Sequence, residues 1–220
     1  MPGAGSGGRG RLITFEGGEG AGKSTQVAAL ARVMEASGLP VVRSREPGGT
    51  PGAEAIRDLL LQGSGDRWSS ITEALLHTAA RSEHAERWIR PHLATGHYVL
   101  IDRFVDSTRV YQGIAGGIGI GLIDQLHRLA VGDLEPDLTI LLDLPADLGL
   151  ERARATRGEN RYERMGRDYH GRVRDGFLAL AAAASDRFRV IDATQSPAAV
   201  AGDVLRAVGE RFHLDLRRGP

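Results

Sequence analysis

Five short apolar runs punctuate the chain, at Leu12–Phe15, Val41–Ser44, Tyr98–Ile101, Leu138–Leu142 and Phe188–Ile191. Each has the length and side-chain character of a β-strand. Between them apolar residues recur at helical spacing. This predicts helices near Thr25–Ser37, Ala53–Leu61, Ile71–Ala94, Ile120–Val131, Ala146–Ala155, Asp168–Ala184 and Pro197–Phe212. Strands alternating with helices predict an α/β fold: a mostly parallel sheet with helices on both faces and a ligand crevice at the carboxyl ends of the strands. No internal repeat or Pro/Ser-rich linker divides the 220 residues, so one domain over residues 11–213 is expected. The Gly-rich residues 1–10 and the segment 214–220 read as disordered tails.

The first strand runs into Gly17, Gly18, Glu19, Gly20, Ala21, Gly22, Lys23, Ser24 and Thr25, which fits the template G-x-x-x-x-G-K-[ST] at every fixed point. In such a loop the glycines let backbone N–H groups curl around phosphate oxygens, and the following helix points its positive dipole end at them. Lys23 is the only lysine; every other one of the 28 Lys and Arg residues is arginine. A compact ammonium suits a crowded phosphate nest better than a planar guanidinium. Ser24 would offer its hydroxyl to Mg²⁺. Strand, loop and helix together predict a P-loop NTPase fold with its phosphate site in the crevice.

Other residues gain meaning beside this loop. Asp102 ends the run Tyr98–Ile101, where a carboxylate can hold Mg²⁺, and Arg103 follows to meet a phosphate bidentately. Asp143, at the end of the run Leu138–Leu142, is the rival acid, but no basic residue adjoins it. Glu19 is an acid inside an anion-binding loop; it either faces solvent or accepts a hydroxyl of a second substrate. His77 and Arg81 lie four apart on one helix face, either to stack on and read a base or to form a solvated surface. Arg57 precedes Asp58, so an ordinary ion pair also accounts for it. Glu151–Arg174 holds eight arginines, at 152, 154, 157, 161, 164, 167, 172 and 174, among Gly158, Gly166 and Gly171. A lid over residues 152–170 is expected there, with an arginine closing on transferring phosphate.

Composition removes alternatives. Lys+Arg and Asp+Glu balance at 28 each, so no global field points to a nucleic acid polymer or a membrane surface. The chain has no cysteine, which excludes disulfides and thiolate chemistry and suits a reducing cytoplasm, the expected location. No apolar run approaches the roughly 18 residues of a spanning helix. Histidine spacing supports no zinc site, and no G-x-S-x-G elbow is present. A guanine-reading N-K-x-D motif is impossible without a second lysine. A small-molecule or nucleotide kinase is what remains.

Longer strings then resemble one family, the bacterial thymidylate kinases. They are Phe15-Glu16-Gly17 through Thr25, Arg45-Glu46-Pro47-Gly48-Gly49-Thr50, Asp102-Arg103-Phe104-Val105-Asp106-Ser107-Thr108, Tyr111-Gln112-Gly113, Pro136 to Asp143, Asn160-Arg161-Tyr162-Glu163 and Ile191-Asp192-Ala193. The resemblance implies transfer of a phosphoryl group from ATP to dTMP with Mg²⁺, on a five-stranded parallel sheet, in a homodimer. It implies ATP phosphates on Gly17–Thr25, the dTMP phosphate on Arg57 and Arg103, and the thymine edge on Arg81. Glu19 would lie near the acceptor sugar, with Ser107, Thr108 and Gln112 lining the acceptor pocket. Adenine would fall between the lid region and the loop after Asp192, near Ala193, Thr194 and Gln195, with Arg152 also binding the nucleotide. The P-loop carries no arginine of its own, so the catalytic arginine would come from the lid, with Arg154 and Arg157 foremost beside Arg152 and Arg161. His77 stands where the family commonly has a phenylalanine stacked on thymine, which keeps another nucleoside-monophosphate or deoxynucleoside kinase open as an alternative. A non-catalytic ATP-binding module is the rival from another class.

Overall fold

The structure, a computed structural model, describes residues 9–63, 67–156, 162 and 165–216. The strands β1 (Arg11–Glu16), β2 (Val41–Arg45), β3 (Tyr98–Asp102), β4 (Leu138–Asp143) and β5 (Phe188–Asp192) form one parallel sheet in the order β2-β3-β1-β4-β5. The inner strands β1, β3 and β4 are covered on both faces and read as continuous apolar runs, whereas β2, at an edge, mixes in Arg43 and Arg45. Strand order reverses at β1, so the crevice of this sheet opens where the P-loop leaves it.

The helices are α1 (Lys23–Ala36), α2 (Pro51–Leu61), α3 (Ser70–His84), α4 (Arg90–Ala94), α5 (Val105–Thr108), α6 (Ile120–Val131), α7 (Ala146–Thr156), α8 (Arg167–Ala183) and α9 (Pro197–Phe212). On one face α1 and α9 bury Leu30, Met34, Val204 and Val208 against Ile13, Phe15, Leu100 and Ile140. On the other, Ala74 of α3 and Ile123 of α6 pack with Ile89 on Leu12, Val99 and Ile101. Val173 and Phe177 of α8 close a third cluster over Leu141 and Phe188. Local chemistry sets several helix starts: Thr50, Ser69 and Ser196 cap α2, α3 and α9, and prolines open α2 and α9.

Three departures from the sequence reading have physical causes. The long helix expected over Ile71–Ala94 is interrupted by a π-helical stretch, Ala85–Ile89, just before Pro91, which has no N–H to donate four residues back. A helical segment went unread: α5 continues into π-helical Arg109–Ala115, hidden because Asp106-Ser107-Thr108 has turn chemistry and the apolar period is short. Gly10, Leu214 and Leu216, read as tail from the sequence, are held by the fold. The Gly10 N–H donates to the Leu93 carbonyl at 2.8 Å, and Leu214 and Leu216 pack on the core. Of the expected lid, Arg157, Arg161 and Arg164 lie outside the described residues.

Candidate active site

The P-loop wraps a single ammonium. Lys23 opens α1, and its Nζ donates to the carbonyls of Gly17 at 3.1 Å and Gly18 at 2.7 Å. Burial, and next the neighbouring Arg103 charge, pull its pKa down to about 8, with Glu19 and Asp102 opposing. The start of α1 differs from those of α2 and α3. Gly22 provides no side-chain cap and no acid stands in the first turn, whereas α2 has Thr50 and Glu54, and α3 has Ser69 and Glu73. The free N–H groups and dipole end of α1 are thus left to an external anion.

The tip of the loop rests directly on α7. A Cβ on Gly20 would lie 2.0 Å from the Gly149 carbonyl oxygen, and one on Gly149 would lie 2.3 Å from that of Glu19. Gly20 also has φ +66°, a left-handed conformation. The helix leading toward the arginine-rich stretch is therefore one wall of the phosphate loop, packed backbone on backbone.

Beside the loop, the Ser24 hydroxyl donates to the Asp102 carboxylate. Asp143, the rival, is taken by Arg174 in a bidentate pair at 2.7 and 2.8 Å and does not line the cavity. Arg103, next in the chain, has φ +67°, rare for a bulky residue. This sharp turn sends its side chain back over the loop, where Nη1 meets the Gly17 carbonyl at 3.1 Å and Nη2 meets Glu19 at 2.8 Å. Glu19 neither faces solvent nor repels anions freely. It accepts from Arg103 and from the Tyr111 hydroxyl at 3.1 Å. Burial pushes its pKa up, but Arg103, Lys23 and Tyr111 outweigh that and hold it below the usual carboxylate value.

One cavity of about 990 Å³ joins these groups, at the upper end of ligand-site sizes. Glu19 through Thr25, Asp102 and Arg103 line its middle. Elements following β2 and β3 line one half with Arg57, His77, Ser107, Thr108 and Gln112; elements following β4 and β5 line the other with Arg152, Ala193 and Gln195. Arg57 donates to the Pro47 carbonyl at 2.7 Å, which holds it at the wall. Arg152 donates to the Ala193 carbonyl at 2.8 Å, tying α7 to the loop after β5. The Gln195 amide donates to the Asp192 carbonyl at 3.1 Å in the same loop.

Four of the described residues expected at the site are not on the wall: Gly17 and Gly18, whose carbonyls take the Lys23 ammonium, and Arg154 and Arg81. Arg154 is exposed on α7 outside the lining; two residues from Arg152, it points to a different side of the helix. Arg81 is 2% exposed, with Nε on Glu46 at 2.8 Å and Nη2 on Thr108 at 2.9 Å, so it stands behind Thr108 rather than in the cavity. Its Nη1 has no hydrogen-bond partner among the described residues.

Several residues of the site were not singled out by sequence reasoning. Tyr111 lies under the Arg103 guanidinium at 5.1 Å. Glu46 lines the cavity while bridging Arg81 and His84. Fully buried Glu16 accepts from the backbone N–H groups of Phe104 and Ser107 and from the Ser107 hydroxyl, pinning the turn that carries Arg103. Burial and the Asp106 charge push the Glu16 pKa up to about 7, against Ser107 and Arg103. The only signal in the sequence was a carboxylate closing an otherwise apolar strand.

A parallel sheet whose switch point opens into an anion-binding loop is the P-loop NTPase fold, and the continuous cavity on both sides of the loop makes this a P-loop protein with room for two ligands. Within that class the chain belongs to the thymidylate kinase family, whose family model, "Thymidylate kinase", matches residues 15–204. A thymidylate kinase of Caulobacter vibrioides is 51% identical over 94% of this chain and 99% of its own length. One of Ruegeria pomeroyi is 52% identical over 91% of this chain and 95% of its own. The crystal structure of thymidylate kinase from Ehrlichia chaffeensis superposes with a TM-score of 0.74 at 36% identity, covering 91% of this chain and 99% of that one.

Proposed function

We propose that the protein transfers the γ-phosphoryl group of ATP to dTMP, yielding ADP and dTDP on the route to dTTP. The observation that carries this reading is the single cavity in which the phosphate loop lies between two ligand halves, with Lys23 and Arg103 at their junction. ATP phosphates fit the loop and the uncapped start of α1, and adenine fits the half formed by Arg152, Ala193 and Gln195. The dTMP phosphate fits Arg57 and Arg103. Its sugar fits beside Glu19, and its base fits among His77, Thr108 and Gln112, with Arg81 behind Thr108 offering an N–H that is unpartnered among the described residues.

Two like-charged phosphates must be brought together, and the acceptor oxygen is already anionic, so positioning and charge neutralisation suffice without a strong base. Lys23 and Arg103 supply fixed positive charge where negative charge gathers. Ser24 and Asp102 are hard oxygen donors in contact beside the loop, a set suited to Mg²⁺. When bound, that ion would neutralise phosphate charge. The transition-state arginine is assigned to the lid stretch; with Arg154 outside the cavity lining, Arg157 and Arg161 are the residues to test. We also infer a homodimer. Leu75 and Leu129 are 50% and 86% exposed on the packed pair α3 and α6, beside partly exposed Ile71 and Leu122. Light scattering that shows a monomer at micromolar concentration counts against it. A cytoplasmic location belongs to the same reading, in keeping with a chain free of cysteine.

The deciding experiment is an ADP-release assay with ATP and Mg²⁺, comparing dTMP with dUMP, UMP, CMP, AMP and GMP. Strong preference for dTMP is expected. Preference for another monophosphate would keep the kinase and move the acceptor, with His77 the first suspect. ATP binding without transfer to any of them would refute the reading.

A further inference from the structure

Gln112 lines the cavity, yet its amide is not free to choose which end it shows to a ligand. Its Nε2 donates to Oε2 of Glu73 at 3.1 Å, and Glu73, on α3, is a buried carboxylate. The Tyr162 hydroxyl donates to the same oxygen at 3.4 Å, and His77 Nε2 lies 3.2 Å from that hydroxyl. A carboxylate only accepts, so the amide must turn its NH₂ toward Glu73. The other end, Oε1, has no hydrogen-bond partner among the described residues and remains an acceptor at the cavity wall.

We propose that Glu73 is the positioning residue that makes the acceptor site select an imide base. The proposal rests on the reading of this half of the cavity as a pyrimidine monophosphate site. Thymine and uracil carry an N3–H donor, which Oε1 of Gln112 can accept. Cytosine presents a lone pair at N3 and would set acceptor against acceptor, leaving buried polar groups unpaired. Glu73 touches no substrate in this scheme; it fixes the sign of the group that does. A glutamine at 73 can offer either end of its own amide, which frees Gln112 to show NH₂ instead.

The test compares wild type, E73Q and the swap variant E73Q/Q112E, with ATP and either dTMP or dCMP. The two acceptors share sugar and phosphate, so a general loss of structure lowers both rates, while the ratio of their kcat/KM values reports base reading. In wild type, dTMP is expected to lead strongly. In E73Q the ratio of dTMP to dCMP should fall at least tenfold. In the swap, the amide of residue 73 donates to the carboxylate at 112, an acceptor faces the cavity again, and the ratio should return to within about threefold of wild type. If E73Q does not fold, the swap variant carries the test alone. E73Q with an unchanged ratio, or a folded swap variant without the wild-type ratio, overturns the role of Glu73. Wild type that ignores dTMP altogether overturns the acceptor reading beneath it.

Discussion

Gly149→Ala sets local propensity against site geometry. In a helix interior alanine is favoured over glycine by about 1 kcal/mol, so on α7 taken alone the change should stabilise. The new Cβ, however, would lie 2.3 Å from the Glu19 carbonyl oxygen, where ordinary contact begins at 3.4 Å. Both partners are backbone, so no rotamer relieves the overlap, and loop and helix must separate by about 1 Å, a displacement that can cost about 100-fold in rate. The loop that moves carries Lys23 and the N–H groups of the phosphate nest. The loss should therefore fall on kcat/KM for ATP, about 100-fold, in an ADP-release assay with ATP varied at saturating dTMP. Gly171→Ala on α8 is the control. A Cβ there meets nothing within 4 Å, so the kinetic constants should hold and the Tm should stay level or rise. Gly149→Ala with wild-type kinetics would show that the loop tolerates the shift, and would refute the claim that this contact sets its position.

Lys23→Ala should abolish turnover while far-UV circular dichroism stays native; retained activity would sink the P-loop assignment. His77→Phe should lower the KM for dTMP by about threefold through better stacking, and an unchanged or higher KM would count against His77 as the base platform. Glu16 gives a pH signature. Its folded pKa, about 7, is above the ordinary value of 4.5, so its protonation favours the folded state at low pH and that contribution is lost as pH rises through about 7. Glu16→Gln should thus gain stability relative to wild type between pH 5 and pH 8, by up to about 3 kcal/mol in denaturant melts. A difference independent of pH would show that Glu16 titrates normally.

All five strands and the phosphate loop were legible because each rests on short-range pattern: apolar runs between turn residues, and a glycine template ending in Lys23-Ser24. Asp102 was separable from Asp143 only weakly, since what divides them is tertiary: Ser24 reaches one and Arg174 claims the other. Arg152 and Arg154 look alike in the sequence, yet a helix turns 200° between them, so only one reaches the cavity. Arg81 shows the same limit. Its place four residues after His77 was readable, but Glu46, which holds its guanidinium behind Thr108, arrives from a distant loop. The buried carboxylates Glu16, Glu46 and Glu73 left little trace, because their partners are backbone N–H groups and side chains far along the chain.

The solitary lysine has a practical consequence. Lys23 carries the only side-chain amine in the molecule, and its pKa of about 8 leaves a substantial neutral, nucleophilic fraction at mildly alkaline pH. An acylating reagent therefore has one lysine side chain to find, and that one lies in the phosphate nest. The mass added to the peptide containing Lys23 would report how full the loop is, and titrating a nucleotide against the labelling rate would yield its affinity without an engineered probe.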